Sequence, residues 1–263
     1  MTEGIGFSED MILEDIRERN IQQEILVSSP LDLKMIRALK KTTPARIAVG
    51  RSGPRYKTST LLRFRADHAA ARDSVISKTD QRVIEGMNLF SVKTLCRDKE
   101  EYLTRPDLGR KFSEETISLI KERCIYQPDV QIVVGDGLSS KAIEANARDV
   151  LLSLTAGLKL YEISVGTPFF IKYARVAAMD YISEALQAKV TCILIGERPG
   201  LATAQSMSAY LAYEAKLGMV ENRRTVVSNI HQDGTPPVEA GAYLVSIIQQ
   251  MLFQQASGLE LQI

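Results

Sequence analysis

The sequence is short of cysteine, has no long apolar run and shows no excess of charge of either sign. Its three cysteines, Cys96, Cys124 and Cys192, are an odd number and lie far apart, which favours reduced thiols and a reducing compartment over a disulfide framework. No stretch approaches the ~18 apolar residues that span a bilayer. The acidic opening, Met1 to Asn20, also lacks a basic then apolar leader, so a soluble cytoplasmic chain is expected. Lys plus Arg number 33 against 32 Asp plus Glu, a balance that argues against nucleic acid or an acidic membrane as a whole-surface partner. Repeats and low-complexity tracts are absent. What remains is 263 residues, 45% hydrophobic and 25% charged, enough for one large domain or two modest ones with a real core.

Catalytic signatures are equally scarce. There are only two histidines, His68 and His231, and no H-E-x-x-H, C-x-x-C or G-x-S-x-G pattern, which speaks against metal hydrolysis and a hydrolase elbow. Gly135-Asp136-Gly137 is followed by Leu138-Ser139-Ser140 rather than completing G-x-G-x-x-G, and no Walker motif occurs. Generic NAD and ATP sites are weakly supported.

The hydrophobic pattern changes near residues 110 to 130. Before it the chain reads as a helical and irregular N-terminal arm (1–109), with an amphipathic helix at Leu31 to Lys40 and a helix from Pro106 or Ser113 to Cys124 crossing into the second part. From 110 to 263 short β-branched runs alternate with helical patterns, the signature of a Rossmann-like α/β domain with a mainly parallel sheet flanked by helices. The expected strands are Val130 to Val134, Leu158 to Val165, Val190 to Ile195 and Thr225 to Ile230. The expected helices are Ser139 to Leu154, Phe169 to Leu186, Thr203 to Tyr213 and Pro237 to Gln255.

Ligands of such sheets bind beyond the carboxyl ends of the strands. There the chain places Gly135 to Ser140, Gly166 to Pro168, Gly196 to Gly200 and Ser228 to Pro237, all rich in residues that cap helices or permit close backbone approach. Turn chemistry alone accounts for any one of them. Asp136 and Glu197 sit where an acid, a base or a hydroxyl acceptor would stand, and a carboxylate that ties down loop amides fits equally well. Between Lys34 and Arg65 all ten charged residues are basic, including Arg51 and Arg55 in a turn, Gly50 to Arg55, that resembles an anion site. Tyr56 and Phe64 are too few aromatics for nucleic acid. A solvated or partner-facing surface is the plainer reading, with contact to a ligand phosphate a third.

Several longer segments carry a resemblance. TPARIAVGRSGPRYKT (43–58), LLRFRADH (61–68), YLTRPDLG (102–109), 128–139, VGTPFFIKYARV (165–176), GERPGL (196–201) and SNIHQDGTPPVEA (228–240) together resemble the small (light) subunit of ethanolamine ammonia-lyase, across roughly residues 25 to 260. The resemblance implies a non-autonomous subunit of an adenosylcobalamin-dependent radical lyase that turns ethanolamine into acetaldehyde and ammonia. It implies a hetero-oligomer in which the large subunit binds ethanolamine and supplies most catalytic groups, with no catalytic residue and no metal ligand on this chain.

By the same resemblance, Val176, Glu197 and Val226 match cobalamin contacts of the family. At Val226 the family pattern R-T-C-x-S-N-I has cysteine, whereas this chain reads Arg224-Thr225-Val226-Val227-Ser228-Asn229-Ile230, which removes any thiol role. Asn229 to Gly234 approaches the D-x-H-x-x-G pattern of another cobalamin class, but Asn stands where Asp would orient the imidazole. His231 is therefore expected to stay off cobalt, with the cofactor base-on. Some family members carry an N-terminal extension linked to a bacterial microcompartment. Here Ile12, Leu13, Ile16 and Ile21 suit either a targeting helix or one packed on its own domain. Two readings of other classes compete: a stand-alone cofactor- or nucleotide-binding module, and a purely structural assembly subunit. Neither membrane nor nucleic acid is expected as a partner.

Overall fold

The computed structural model describes residues 16, 19–20, 24–43 and 45–262. Ile12, Leu13 and Ile21 of the expected N-terminal helix lie outside the described residues. The chain divides into two compact units, Met1–Ala70 and Ala71–Ile263.

In the first unit, α1 (Leu33–Thr42) starts where the Asp32 carboxylate accepts a hydrogen bond from the Met35 amide at 2.8 Å. It ends on Lys40 and Lys41, whose charge suits the negative end of the helix dipole. The Gly50 to Arg55 stretch folds as a hairpin of β1 (Arg51–Ser52) and β2 (Arg55–Tyr56). Gly53, at φ +60°, supplies the left-handed position that a two-residue hairpin turn needs. The Arg51 guanidinium lies 4.5 Å from the Tyr56 ring centroid. α2 (Thr58–Ile76) then carries the chain to the second unit.

The second unit adds α3 (Gln81–Gly86), β3 (Phe90–Lys93), α4 (Lys99–Thr104), α5 (Glu114–Arg123), β4 (Val130–Gly135), α6 (Ser140–Leu160), β5 (Phe169–Lys172), α7 (Ala178–Leu186), β6 (Val190–Gly196), β7 (Met207–Tyr213), β8 (Thr225–Ile230) and α8 (Pro237–Gln254). Its sheet has six strands in the order β3-β5-β4-β6-β7-β8. The pairs β3–β5, β5–β4 and β4–β6 are parallel, while β6–β7 and β7–β8 are antiparallel, so β7 alone runs against the rest. Side-chain alternation along the strands builds a core on each face. Val130, Ile132 and Val134 of β4 pack with α6 and α8, and Val133 with α5 and α7. Both faces being covered, β4 and β6 are buried along their whole length, as central parallel strands are.

The α/β class and the flanking helices are as expected, but the sheet is mixed, and three elements differ from the sequence reading. Leu158 is not the start of a strand but the last core residue of α6, where Ile143, Ala147, Val150, Leu154 and Leu158 recur at helical spacing. The strand is instead Phe169–Lys172, the expected opening of a helix, and α7 is only Ala178–Leu186. Three buried apolar residues in a row, Phe169, Phe170 and Ile171, carry no period that separates the two states. Thr203 to Tyr213, expected as a helix, contains β7, whose alanines mimic helical composition while burial on both faces erases the alternation. The pattern change at 110 does not coincide with the unit boundary at residue 70, and β3, which precedes it, pairs with β5. Among the described residues no helix is long and apolar enough to cross a membrane.

Candidate functional site at the strand ends

Because β7 is reversed, its first residues lie beside the end of β6, and with the segments that follow β4, β5 and β6 they surround an open cleft of about 190 Å³. Val176, Glu197, Ser208 and Tyr210 line it, with Leu138 and Arg198.

The loop after β4 is a brace. The Asp136 carboxylate is buried and accepts hydrogen bonds from the amides of Tyr173 and Ala174, each at 2.9 Å. Burial pushes its pKa up, against the pull of nearby Lys99 and of the amides. Asp136 is thus the loop-tying carboxylate of the two alternatives. The glycines serve the same closure: a Cβ on Gly137, at φ +58°, would meet the Gly196 carbonyl oxygen at 2.3 Å, and one on Gly196 would meet the Ser139 oxygen at 2.1 Å. These glycines admit neighbouring protein backbone. Ser139 caps α6 by accepting from the Ala142 amide, and donates to the Ala204 carbonyl at 2.6 Å.

β5 ends in a strained turn. Tyr173 sits at φ +63°, a left-handed conformation that a bulky side chain seldom adopts. It is held from both sides, by Asp136 at its amide and by the Thr94 hydroxyl, which donates to its carbonyl at 3.0 Å. Ala174 and Arg175 are fixed in turn, because the Tyr102 hydroxyl donates to the Ala174 carbonyl and the Arg175 amide to the Gly109 carbonyl. The Arg175 guanidinium lies 4.2 Å from the Tyr102 ring centroid, and Lys99 Nζ lies 4.8 Å from it. Burial lowers the Lys99 pKa and raises that of the Tyr102 hydroxyl. Arg175 Nε is buried without a hydrogen-bond partner. The turn delivers Val176 to the cleft, two residues before α7.

Glu197 follows β6. Its Oε2 accepts from the Ser206 hydroxyl at 2.7 Å, while Oε1 accepts from the Ser208 hydroxyl and from the Asn229 amide at 3.0 Å. Burial alone would raise its pKa, but those three donors, with the nearby His231, hold it below the ordinary carboxylate value. Glu197 is therefore an anionic acceptor and not a proton donor near neutral pH. Asn229, at φ +61°, also receives His231, whose Nε2 lies 2.9 Å from Asn229 Oδ1. His231 Nδ1 accepts from the Asp233 amide at 3.3 Å, which assigns the proton to Nε2.

The structure thus brings Val176 and Glu197 together. Val226 is the β8 neighbour of Tyr210, beside the cleft and about half exposed, but not part of its lining. Sequence reasoning missed Tyr210, Ser206 and Ser208, all within the stretch read as a helix. It also passed over Tyr102 and Arg175, whose roles depend on long-range contacts. Among the described residues no group of three His, Cys, Asp or Glu side chains is placed to hold a metal ion.

Fold and cleft together define an α/β protein with a cleft at its strand ends, where a carboxylate is held in its charged form by hydroxyl and amide donors. A family model for the ethanolamine ammonia-lyase light chain (EutC) matches residues 34–262. The chain is 55% identical over 252 residues to the ethanolamine ammonia-lyase small subunit of Clostridium perfringens, covering 96% of this chain and 85% of the relative. It is 56% identical over 257 residues to that of Clostridium tetani (97% and 86%), and 53% over 247 residues to one from Listeria monocytogenes (94% and 84%). The chain belongs to the ethanolamine ammonia-lyase light chain family.

Proposed function

We propose that this chain works only with a large subunit, in a hetero-oligomer that converts ethanolamine to acetaldehyde and ammonia, and that its strand-end cleft holds one side of adenosylcobalamin. The observation that carries this reading is Glu197 locked as an acceptor beside Val176 in the cleft of a chain so similar to ethanolamine ammonia-lyase small subunits. The donor set suits a corrin rim, whose primary amides both donate and accept. Glu197 would accept from an amide, and Val176, Tyr210 and Val226 offer apolar surface. When bound, the cofactor would supply the radical chemistry, which the residues of this chain would position and not perform.

The residues of this chain bind and orient. Glu197 fixes the cofactor edge without reorganising, because its own donors already hold it. The backbone turn at Tyr173 sets the position of Val176. His231, with Nε2 bonded to Asn229 and Nδ1 to Asp233, is engaged at both nitrogens, which supports a base-on cofactor with no protein histidine on cobalt. In this reading residues 110–263 contact the cofactor, residues 1–109 contribute the subunit interface, and ethanolamine is bound mainly by the large subunit, in the cytoplasm or a microcompartment lumen.

The test is ethanolamine-dependent acetaldehyde formation with adenosylcobalamin, comparing this chain alone, the large subunit alone and the mixture. Activity confined to the mixture is the expected result. An assembled but inactive mixture would instead favour a stand-alone binding module.

A further inference from the structure

Three hydroxyl groups line the strand-end cleft among the described residues, those of Tyr102, Ser208 and Tyr210. Two are engaged inside the protein: Tyr102 donates to the Ala174 carbonyl at 3.0 Å and Ser208 to the Glu197 carboxylate. The Tyr210 hydroxyl bonds to no described residue, and the half-buried side chain leaves it open to the cleft. A polar group with no partner in the protein is tolerated where solvent reaches it, and it remains available to a ligand that displaces the solvent.

Strand geometry puts this free donor beside a free acceptor. Side chains alternate along β7, so Ser208 and Tyr210 stand on one face, and Ser208 holds Glu197 there. Burial first, then the negative charge of Glu197 and Glu221, pushes the Tyr210 pKa up, so the phenol keeps its proton at neutral pH. A carboxylate offers about four acceptor positions. Ser206, Ser208 and the Asn229 amide fill three of those of Glu197, which leaves one, on Oε2. One wall of the cleft thus carries a neutral donor and an anionic acceptor, each with capacity to spare.

A primary carboxamide satisfies both, since its oxygen accepts and its N–H donates. A ligand carboxylate would meet the charge of Glu197, and an ammonium would leave the phenol without an acceptor. Val226, the β8 neighbour of Tyr210, and Val176 add apolar surface that suits the hydrocarbon edge from which corrin amides project. We propose that Tyr210 and Glu197 together take one primary carboxamide of the corrin rim, Tyr210 donating to its oxygen and Glu197 accepting from its nitrogen. This rests on the cofactor-holding reading above and adds to it the residue that, with Glu197, selects an amide over an acid.

The test is absorbance titration of the complex with the large subunit, using cyanocobalamin and its monocarboxylic acids, in each of which one rim amide is replaced by a carboxylate. The variants are Tyr210→Phe, which removes only the oxygen, Glu197→Gln, which removes the charge, and the control Tyr213→Phe, on the opposite face of β7. Tyr210→Phe is expected to bind cyanocobalamin about fivefold more weakly, the loss of one hydrogen bond, and Tyr213→Phe to bind it like wild type. At least one acid binds the wild-type complex about tenfold more weakly than cyanocobalamin does, and Glu197→Gln relieves that difference. The ligand-free melting point of Tyr210→Phe matches wild type, and a lowered one would show that the hydroxyl is engaged within the chain and overturn the proposal. Equal affinities of Tyr210→Phe and wild type for cyanocobalamin would also overturn it, with the cofactor reading intact. Acids that all bind like cyanocobalamin, or a difference that Glu197→Gln leaves in place, would overturn the amide. A wild-type complex that assembles without binding cyanocobalamin would overturn the cofactor reading itself. Weaker binding of Tyr210→Phe to the large subunit without cobalamin, with normal cyanocobalamin affinity once assembled, would move the carboxamide to an Asn or Gln side chain of the partner.

Discussion

The Ser208 hydroxyl, at the start of a strand that runs against its neighbour, donates to the carboxylate of Glu197 at that neighbour's end. With Ser206 and the Asn229 amide it keeps an acid, which burial would otherwise protonate more readily, in its charged form.

Ser208→Ala therefore moves the Glu197 pKa upward. A carboxylate held below its unfolded value adds stability that is full above the unfolded pKa and is lost as pH falls through the folded one. In the variant that loss begins at a higher pH. Its stability near neutral pH drops by about 1 kcal/mol, less than a charge-assisted bond is worth in full because the acid is partly exposed. Urea midpoints followed from about pH 7 to pH 3 check this, and parallel curves for the two proteins would refute it. Under the proposed function, the affinity of the assembled enzyme for adenosylcobalamin falls as well, read by absorbance titration.

Gly137→Ala places a methyl group against the Gly196 carbonyl oxygen and in a left-handed conformation, whereas Gly200→Ala meets nothing closer than 3.7 Å. The first costs about 2 kcal/mol or more and the second about 0.5 or less. Thermal unfolding of the two variants separates them, and equal melting points would refute the packing account of these glycines.

Asp180 and Arg224 form a buried ion pair between α7 and the start of β8, in which Arg224 Nη2 donates to both carboxylate oxygens, at 2.7 and 2.8 Å. Burial pushes the Asp180 pKa up against the pull of Arg224, so the pair carries a desolvation cost. Asp180→Ala leaves the buried Arg224 with Glu221 Oε2, at 2.7 Å, as its remaining carboxylate, and so costs less than the about 3–5 kcal/mol of a fully stranded charge, while the double replacement Asp180→Leu/Arg224→Met costs less still. Denaturant unfolding of both decides it, and additive losses would show that the charges were not coupled.

Val226 is half exposed beside Tyr210 and offers only apolar contact. Under the proposed function, Val226→Cys is expected to leave cobalamin affinity of the assembled enzyme within about twofold, whereas Val226→Asp would lower it by about tenfold by placing an unpaired charge against the corrin edge. Equal affinities for Val226→Asp and wild type would remove Val226 from the contact.

Legibility in the sequence followed the physics of each element. α8 declares itself through Pro237 at its first turn and a continuous helical period, and α5 through its Ser113 cap. β4 and β6 are legible as β-branched runs bounded by glycine. β5 and β7 are not, because burial on both faces removes the alternation that marks a strand, and the alanines of β7 favour the opposite assignment. Glu197 was legible from its place after a strand, and Val176 only through resemblance. The partners that give Glu197 its charge were not, since Ser206 and Ser208 reach it only if β7 is reversed. Asp136 was legible as one of two alternatives, and only the positions of Tyr173 and Ala174 choose between them.

The reversal of β7 also shapes what this domain can become. A parallel strand in its place would begin at the opposite edge of the sheet, and the chain leaving Glu197 would have to cross a whole layer before returning. Here the segment from Arg198 to Gln205 leaves the cleft and comes back to it, pinned where the Glu197 amide donates to the Ser206 carbonyl at 3.0 Å. With both feet fixed, the loop can lengthen, shorten or change its chemistry without shifting a single strand register, which makes it the place where new ligand preferences can be grafted onto an unchanged frame.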